Sequence, residues 1–390
     1  MKLLHTSDWH LGRLFHNVSL LEDQAHALEQ LVAYAVDHQV AAVLVAGDIY
    51  DRAVPPADAI ALLDDTLHKL TYDHKIPVIL ISGNHDSPER LAFGARQLAN
   101  QKLHILHDLK TSNQPVIISD AAGKTTAAIY GIPYHTPEHV RSEFNEPVKT
   151  FDDAHHFLIS RVLQTELSKT VNFKILLSHC FVDGAESCDS ERPLAIGGAD
   201  RVSINSMKDF DYVALGHLHG QQKRGSDVIR YCGSLLKYSF SEVNHHKSIS
   251  LITLTPGQSV TIDHLSIIPL RELRSLTGQL DQLLIDGKKD PQKNDYLAIT
   301  LTDQHAILDA MAKLRAVYPN VLQLEKLFLQ QTSSSLAHTN RVALQNNELK
   351  MFGDFYRELS ATPLTEQQQN YLEAVLTEIH NAAAKVENNS

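Results

Sequence analysis

The chain is patterned as short apolar runs separated by amphipathic stretches. Unbroken or period-two apolar runs predict strands, and apolar repeats at three and four residues predict helices. From Met1 to about Leu265 the order is strand, helix, strand, helix, strand, then a succession of strands. Helical periodicity covers 20–38 and 56–70, the second opened by Pro56, whose missing N–H has no helical partner in a first turn. Two further helices are predicted over 89–98 and 151–167. Later strands fall at 124–133, 173–178, 211–216, 228–232, 248–254 and 260–267. Helices alternating with buried strands predict a layered α/β domain over 1–268, and its strand-rich second half predicts a mixed two-sheet sandwich.

Beyond Pro269 the pattern predicts a small α+β unit over 269–329, with strands at 296–301 and 321–324 around a helix at 306–317. Its basic and acidic residues balance, so no basic patch is legible there. Residues 330–347 are polar and form an expected linker. Two amphipathic helices follow within 348–390. Leu349, Phe352, Phe355, Tyr356 and Leu359 share a face of the first, and Leu372, Val375, Leu376, Ile379 and Ala383 share one of the second. Thr365-Glu366-Gln367-Gln368 has the form of a capping box. Such a pair either packs back as a hairpin or docks on a partner, and aromatics after a polar linker favour docking.

Five of the apolar runs end on side chains that can hold a metal. They lead into Asp8-Trp9-His10, Gly47-Asp48, Asn84-His85-Asp86, His179 and His217-Leu218-His219. Short buried strands deliver residues to one sheet edge, so these endings can converge from distant parts of the chain. Asp8 and His10, two apart, can face one ion together. Asp48 can bridge two ions, and Gly47 permits close backbone approach. Asn84 offers a neutral oxygen, while His179, His217 and His219 offer imidazoles. A mixed nitrogen and oxygen set suits Mn, Fe or Zn over Ca. Two ions about 3.5–4 Å apart can activate a water and clamp a phosphate ester. His85 would face the substrate, to stabilise the phosphorane or protonate the leaving oxygen.

Asp51, Arg52 and Asp86 are candidates to support the ligands; Asp51 can bond a ligand histidine, fix the loop or act directly in catalysis, and the sequence does not choose among these roles. Trp9 reads as packing, and Tyr231-Cys232-Gly233-Ser234 as a turn that either approaches the site or only ends a strand. No strand leads into His155-His156 or His245-His246, so these are expected on the surface.

At 390 residues the chain can hold two or three domains, and 43% hydrophobic residues is ordinary for a soluble protein. No apolar run approaches the roughly 18 residues of a membrane helix. The N-terminus enters a strand without a signal-peptide apolar region, so a cytoplasmic protein is expected. Cys180, Cys188 and Cys232 form no CxxC pair and read as reduced thiols. A net charge of −11 argues against nonspecific nucleic-acid binding by the whole surface but leaves room for a local groove charged by its metal ions.

Together these motifs resemble the calcineurin-like metallophosphoesterases. The blocks His5-Thr6-Ser7-Asp8-Trp9-His10-Leu11-Gly12 and Arg230-Tyr231-Cys232-Gly233-Ser234, the latter followed by Ser239-Phe240-Ser241-Glu242, narrow the resemblance to DNA-cleaving members that work with a coiled-coil ATPase. The resemblance implies a four-layer α/β/β/α sandwich with a small capping domain that contacts DNA and a C-terminal helical pair that binds the ATPase. It puts Asp8, His10, Asp48 and His219 on one manganese and Asp48, Asn84, His179 and His217 on the other, with His85 catalytic. It also implies a homodimer within a heterotetramer. Competing readings are a protein phosphatase or small phosphodiesterase, which Asp86 disfavours because phosphoprotein phosphatases carry GNHE, and a non-catalytic DNA tether, which His85 disfavours.

Overall fold

The apolar runs pair into two six-stranded sheets in a computed structural model. It describes residues 1–167, 171–191, 200–303, 307–327, 348–353, 356 and 362–387. Two units are present, Met1–Leu270 and Arg271–Ser390. Strands of the first are β1 (Lys2–Thr6), β2 (Ala42–Ala46), β3 (Val78–Ile81), β4 (Leu103–Leu106), β5 (Val116–Ser119) and β6 (Thr126–Ile132). They continue as β7 (Phe173–His179), β8 (Tyr212–Gly216), β9 (Gln222–Arg224), β10 (Ser226–Tyr231), β11 (Ser248–Thr253) and β12 (Thr261–Ser266). Its helices include α1 (Leu21–Asp37), α2 (Ala57–His68), α3 (Pro88–Leu91), α4 (Ala95–Ala99), α5 (Pro137–Phe144) and α6 (Phe151–Leu163).

One sheet has the order β12-β11-β1-β2-β3-β4 and the other β9-β10-β8-β7-β6-β5. In each, four neighbouring strands are parallel, β1-β2-β3-β4 in the first and β10-β8-β7-β6 in the second, while β11 and β12 at one side of the first and β5 and β9 at the edges of the second add antiparallel pairs. Alternation explains how the layers bury both faces of each strand. Leu3, Leu44, Ile79 and Ile81 meet Ile129, Ile175, Leu177 and Ala214 between the sheets. Leu4, Val43 and Val45, pointing the other way, are equally buried. Tyr130, Leu176, Val213 and Leu215 pack against Leu158, Ile159 and Val162 of α6. The result is the expected layered sandwich, and β2 lies against β7 and β8. The parallel registers align Thr6 with Val45, Ala46 with Ile81, and Gly216 with His179.

The structure differs from the sequence pattern in places. The helix expected over 89–98 is broken into α3 and α4 by Gly94, whose φ of +74° is a left-handed conformation that glycine adopts freely. Helix α6 stops at Leu163, and α5, capped by Thr136 with Pro137 in its first turn, was not singled out. The placement of His155 on the surface is corrected: it is fully buried on the inner face of α6, whereas His156 is exposed.

In the second unit, β13 (Leu273–Gly278), β14 (Tyr296–Leu301) and β15 (Val321–Lys326) are parallel, with α7 (Leu280–Gly287) and α8 (Ala310–Arg315) between them. Leu297, Ile299 and Leu301 pack on Leu280, Leu283, Leu314 and Tyr318. The expected linker 330–347, with Phe355 and Leu359, lies outside the described residues. Residues 348–353 are helical, and α9 (Glu366–Glu387) begins at the expected capping box, where Thr365 N–H donates to Gln368 Oε1 at 2.9 Å. Glu348 pairs with His380 of α9 at 2.7 Å. Phe352, Tyr371 and Ile379 remain exposed. Among the described residues no helix is long and apolar enough to cross a membrane.

His155 stacks on His135 with centroids 5.4 Å apart, and neither of its ring nitrogens meets a hydrogen-bond partner among the described residues. Burial pushes His135 down to about 4 and His155 well below its ordinary value. The fold therefore keeps both rings neutral while the unfolded chain takes up protons near pH 6.5. Their contribution is complete above pH 6.5 and is lost as pH falls toward 4. His155→Leu should raise stability at neutral pH by about 1–3 kcal/mol, because it removes unpaired buried nitrogens. In thermal melts with chelator between pH 7.5 and 4.5 it should also lose stability less steeply than wild type, and equal slopes would contradict this account.

Candidate metal centre

Loops leaving the strand ends continue to pair beyond the sheets. Asp8 N–H donates to Gly47 O, His10 N–H to Asp48 O and Leu11 N–H to Ile49 O, at 2.9–3.0 Å. This pairing holds Asp8, His10 and Asp48 at φ of 52°, 45° and 49°, and His217 reaches 107°. Left-handed conformations cost non-glycine residues of order 1–3 kcal/mol each and persist only where surrounding structure over-determines them. Gly47 has φ +90°, and a Cβ there would lie 2.4 Å from His179 Nδ1. Asp86 ties two loops together by accepting from the backbone N–H groups of Ile49, Tyr50 and Gly83 at 2.9–3.1 Å. Gln24 of α1 braces the first loop, donating to Trp9 O and His10 O and accepting from Gly12 N–H.

Asp48 Oδ2 sits among three imidazoles. It is 3.5 Å from His179 Nε2, 3.7 Å from His10 Nε2 and 4.0 Å from His85 Nε2. Its other oxygen accepts the His85 N–H at 2.9 Å. On one side, Asp8, His10 and His219 bring donor atoms within 4.8 Å of one another, and the two Nε2 atoms of His10 and His219 approach to 3.0 Å. On the other, Asp48, His179 and His217 do the same, and Asn84 Oδ1 lies 3.0 Å from both His179 Nε2 and His217 Nδ1. Asp8 is held by the His217 N–H at 3.0 Å and by Ser7 Oγ.

Burial first, and Asp48 beside it second, push the Asp8 carboxyl well above the usual range. Burial pushes His179 and His219 down to about 4 and His10 and His217 well below their ordinary value, so these rings are neutral. His179 Nδ1 lies 2.8 Å from Ala46 O, which can only accept, so Nδ1 carries the proton and Nε2 its lone pair. Two buried carboxylates ringed by neutral nitrogen donors form a set that divalent cations fit.

All seven expected metal-holding residues and His85 therefore come together, from five strand ends. His85 Nδ1 is fixed on Asp51 O at 2.8 Å, leaving Nε2 facing Asp48. Asp51 also lies 3.4 Å from Arg13, whereas Arg52 is exposed. Trp9 is packing: it is fully buried and donates to Thr6 Oγ1 at 2.9 Å. The Tyr231–Ser234 turn does approach the site, since Cys232 Sγ lies 3.1 Å from Ser7 Oγ and Ser234 N–H donates to His219 O. Cys180 packs in the α6 core, its thiol pushed up to about 12 by burial, and all three cysteines are free. Sequence reasoning assigned no role to Gln24, Ser190, Glu191, Glu242 or Lys247. Glu242 stands in the SFSE block, the only signal that marked any of them. Burial would raise its carboxyl, but bonding on the His219 side and the Lys247 ammonium outweigh this and hold it below the usual carboxylate range.

The sequence matches the calcineurin-like phosphoesterase family over residues 1–221 and the family described as type 5 capsule protein repressor C-terminal domain over residues 269–360. The D subunit of the SbcCD nuclease of Staphylococcus epidermidis is 33% identical over 378 residues, 97% of this chain and 98% of that protein. Its counterpart from Staphylococcus saprophyticus is also 33% identical, over 99% of this chain and 100% of that one. Among solved structures, a dimetal phosphatase from Danio rerio overlaps 69% of this chain and 97% of its own at 13% identity and a TM-score of 0.41, too loose a likeness to bear on function. The chain belongs to the calcineurin-like phosphoesterases, enzymes built to cleave phosphate esters with divalent metals. Within them it belongs with the SbcD nucleases, the group to which the HTSDWHLG and RYCGS…SFSE blocks also point, and it is a metal-dependent nuclease.

Because Asp8 is buried beside Asp48, removing its charge should relieve repulsion in the metal-free protein. Asp8→Asn should raise the metal-free melting midpoint, each 1 kcal/mol gained being worth roughly 2–4 °C. The same variant should lose much of the further rise that divalent metal gives wild type. A lower metal-free midpoint, or an undiminished metal-dependent rise, would contradict the electrostatic account.

Proposed function

We propose that the chain cleaves DNA as the nuclease subunit of an SbcCD-like complex, with two Mn2+ ions as cofactor. Asp8, His10, Asp48 and His219 hold one ion, and Asp48, Asn84, His179 and His217 the other. The observation that carries this reading is the position of Asp48 Oδ2, within 3.5–3.7 Å of an imidazole from each donor group. When bound, the ions supply Lewis acidity toward the phosphodiester and a nucleophile at neutral pH. His85 is the catalytic residue. With Nδ1–H donated to Asp51 O, Nε2 is the ring atom left for the reaction, and the ring protonated on both nitrogens gives its Nε2 proton to the leaving oxygen and returns to the neutral form. Asp51, held in turn by Arg13, keeps that ring in place.

In this reading the complex digests duplex ends with ATP and cuts single-stranded and hairpin DNA, in cytoplasmic DNA repair, recombination and replication. The unit around β13–β15 contacts DNA. The helices after residue 347 dock on the coiled-coil base of an SbcC-like ATPase, and two copies of each subunit assemble. Exposed Phe352 and Ile379, with Leu372 and Leu376 on the same face of α9 as Ile379, support docking, because such a stripe commonly fills a partner's groove.

His85→Gln should keep both metals and DNA affinity but lose cleavage by about 10²–10⁴-fold, a general acid's usual share. Loss of an ion in metal analysis would instead make His85 a ligand. Truncation before Glu348 should leave metal content and cleavage of short single strands intact while abolishing co-purification with the ATPase and ATP-dependent duplex digestion. Full-affinity ATPase binding by the truncated chain would overturn the docking role.

A further inference from the structure

His179 and His219, one from each donor group, are oriented by different means. His179 is locked by a backbone carbonyl, which no substitution of Ala46 removes. His219 has no such carbonyl at its Nδ1. Instead Ser190 Oγ lies 2.6 Å from that nitrogen and 2.5 Å from Glu242 Oε1. Glu242 is fully buried in unit 1, with Lys247 Nζ 2.5 Å from Oε2 and the Tyr238 N–H 3.1 Å from Oε1. Lys247 also donates to His219 O at 2.8 Å, and Glu191 accepts the His219 N–H at 2.5 Å. The loop bearing Ser190 is pinned by Arg13, which donates to Ser190 O at 3.1 Å.

We infer that Ser190 and Glu242 form a relay that positions His219, selecting the ring tautomer that it offers to the first metal. A carboxylate capped by an ammonium can only accept, so the single hydroxyl proton of Ser190 points to Glu242. The serine oxygen must then accept from His219, whose Nδ1 carries the proton. Nε2 is left with its lone pair directed toward His10 Nε2, 3.0 Å away, in the group with Asp8. Supporting partners of this kind commonly change metal affinity 10- to 100-fold. Because His219 is the one proposed ligand to which Ser190 hydrogen-bonds, its effect falls on one ion and spares the other.

The inference rests on the two-ion reading, and the test separates them. Metal-free full-length protein is titrated with Mn2+, following bound ion by calorimetry and by electron paramagnetic resonance. Wild type should bind two ions and show the signal of a coupled pair. Ser190→Ala should keep one site at wild-type affinity and weaken the other about 10- to 100-fold, so that at low Mn2+ an isolated-ion signal replaces the pair. Ser190→Thr should retain the pair and Ser190→Val should not. Those two side chains match in shape and differ by the hydroxyl, so a packing role would not separate them. Metal-free melts within a few degrees of wild type confirm that each variant folds. A wild type that binds one ion removes the two-ion reading and this inference with it. Two unweakened sites in Ser190→Ala, equal weakening of both, or equal behaviour of the threonine and valine variants overturns the relay alone.

Discussion

Asp8 and Asp48 are buried together where the strand ends of both sheets meet, and much of the centre answers the cost of that pairing. Two carboxylates in a low-dielectric interior repel one another and lose hydration. The fold meets this with directed donors: the His217 N–H and Ser7 on Asp8, and the His85 N–H on Asp48. Neutral imidazole nitrogens complete the ring. Such a cluster gains most when divalent charge enters it, so the same feature that strains the metal-free protein gives it metal affinity.

The strain is also conformational. Asp8, His10, Asp48 and His217 all adopt positive φ. These conformations persist because loops from different strands hydrogen-bond to each other and because Asp86 and Gln24 fasten them from the side. Asp86, buried beside Asp48 and pushed up to about 6 by burial and then by that neighbour, is better read as a clamp on three backbone N–H groups than as an acid of the reaction. Beneath them, the interlocked β-sheet core supplies the rigidity that loop residues by themselves lack.

Imidazole orientation adds another layer of control. His179 and His85 are set by backbone carbonyls, His219 by a side-chain network from two distant loops. Backbone locking is insensitive to side-chain change, whereas a serine and a glutamate can be varied. His179 is thus oriented by the backbone itself, whereas the orientation of His219 depends on the side chains of Ser190 and Glu242.

The sequence by itself determined the layered α/β unit and the eight residues at the strand ends, because apolar runs that stop on Asp, His and Asn are local signals. It also marked the helical capping box at Thr365. It did not reveal the break at Gly94, since helical periodicity on both sides masks one backbone conformation. Nor did it reveal the buried stack of His135 and His155, because a histidine on a helix has no period of its own. Only tertiary structure decided that Asp48 stands between two groups of imidazoles and that Gln24, Asp86, Ser190 and Glu242 hold them in place. Those contacts join loops far apart along the chain and depend on single polar contacts, which leave no periodic trace in a sequence, whereas hydrophobic burial writes itself along every strand.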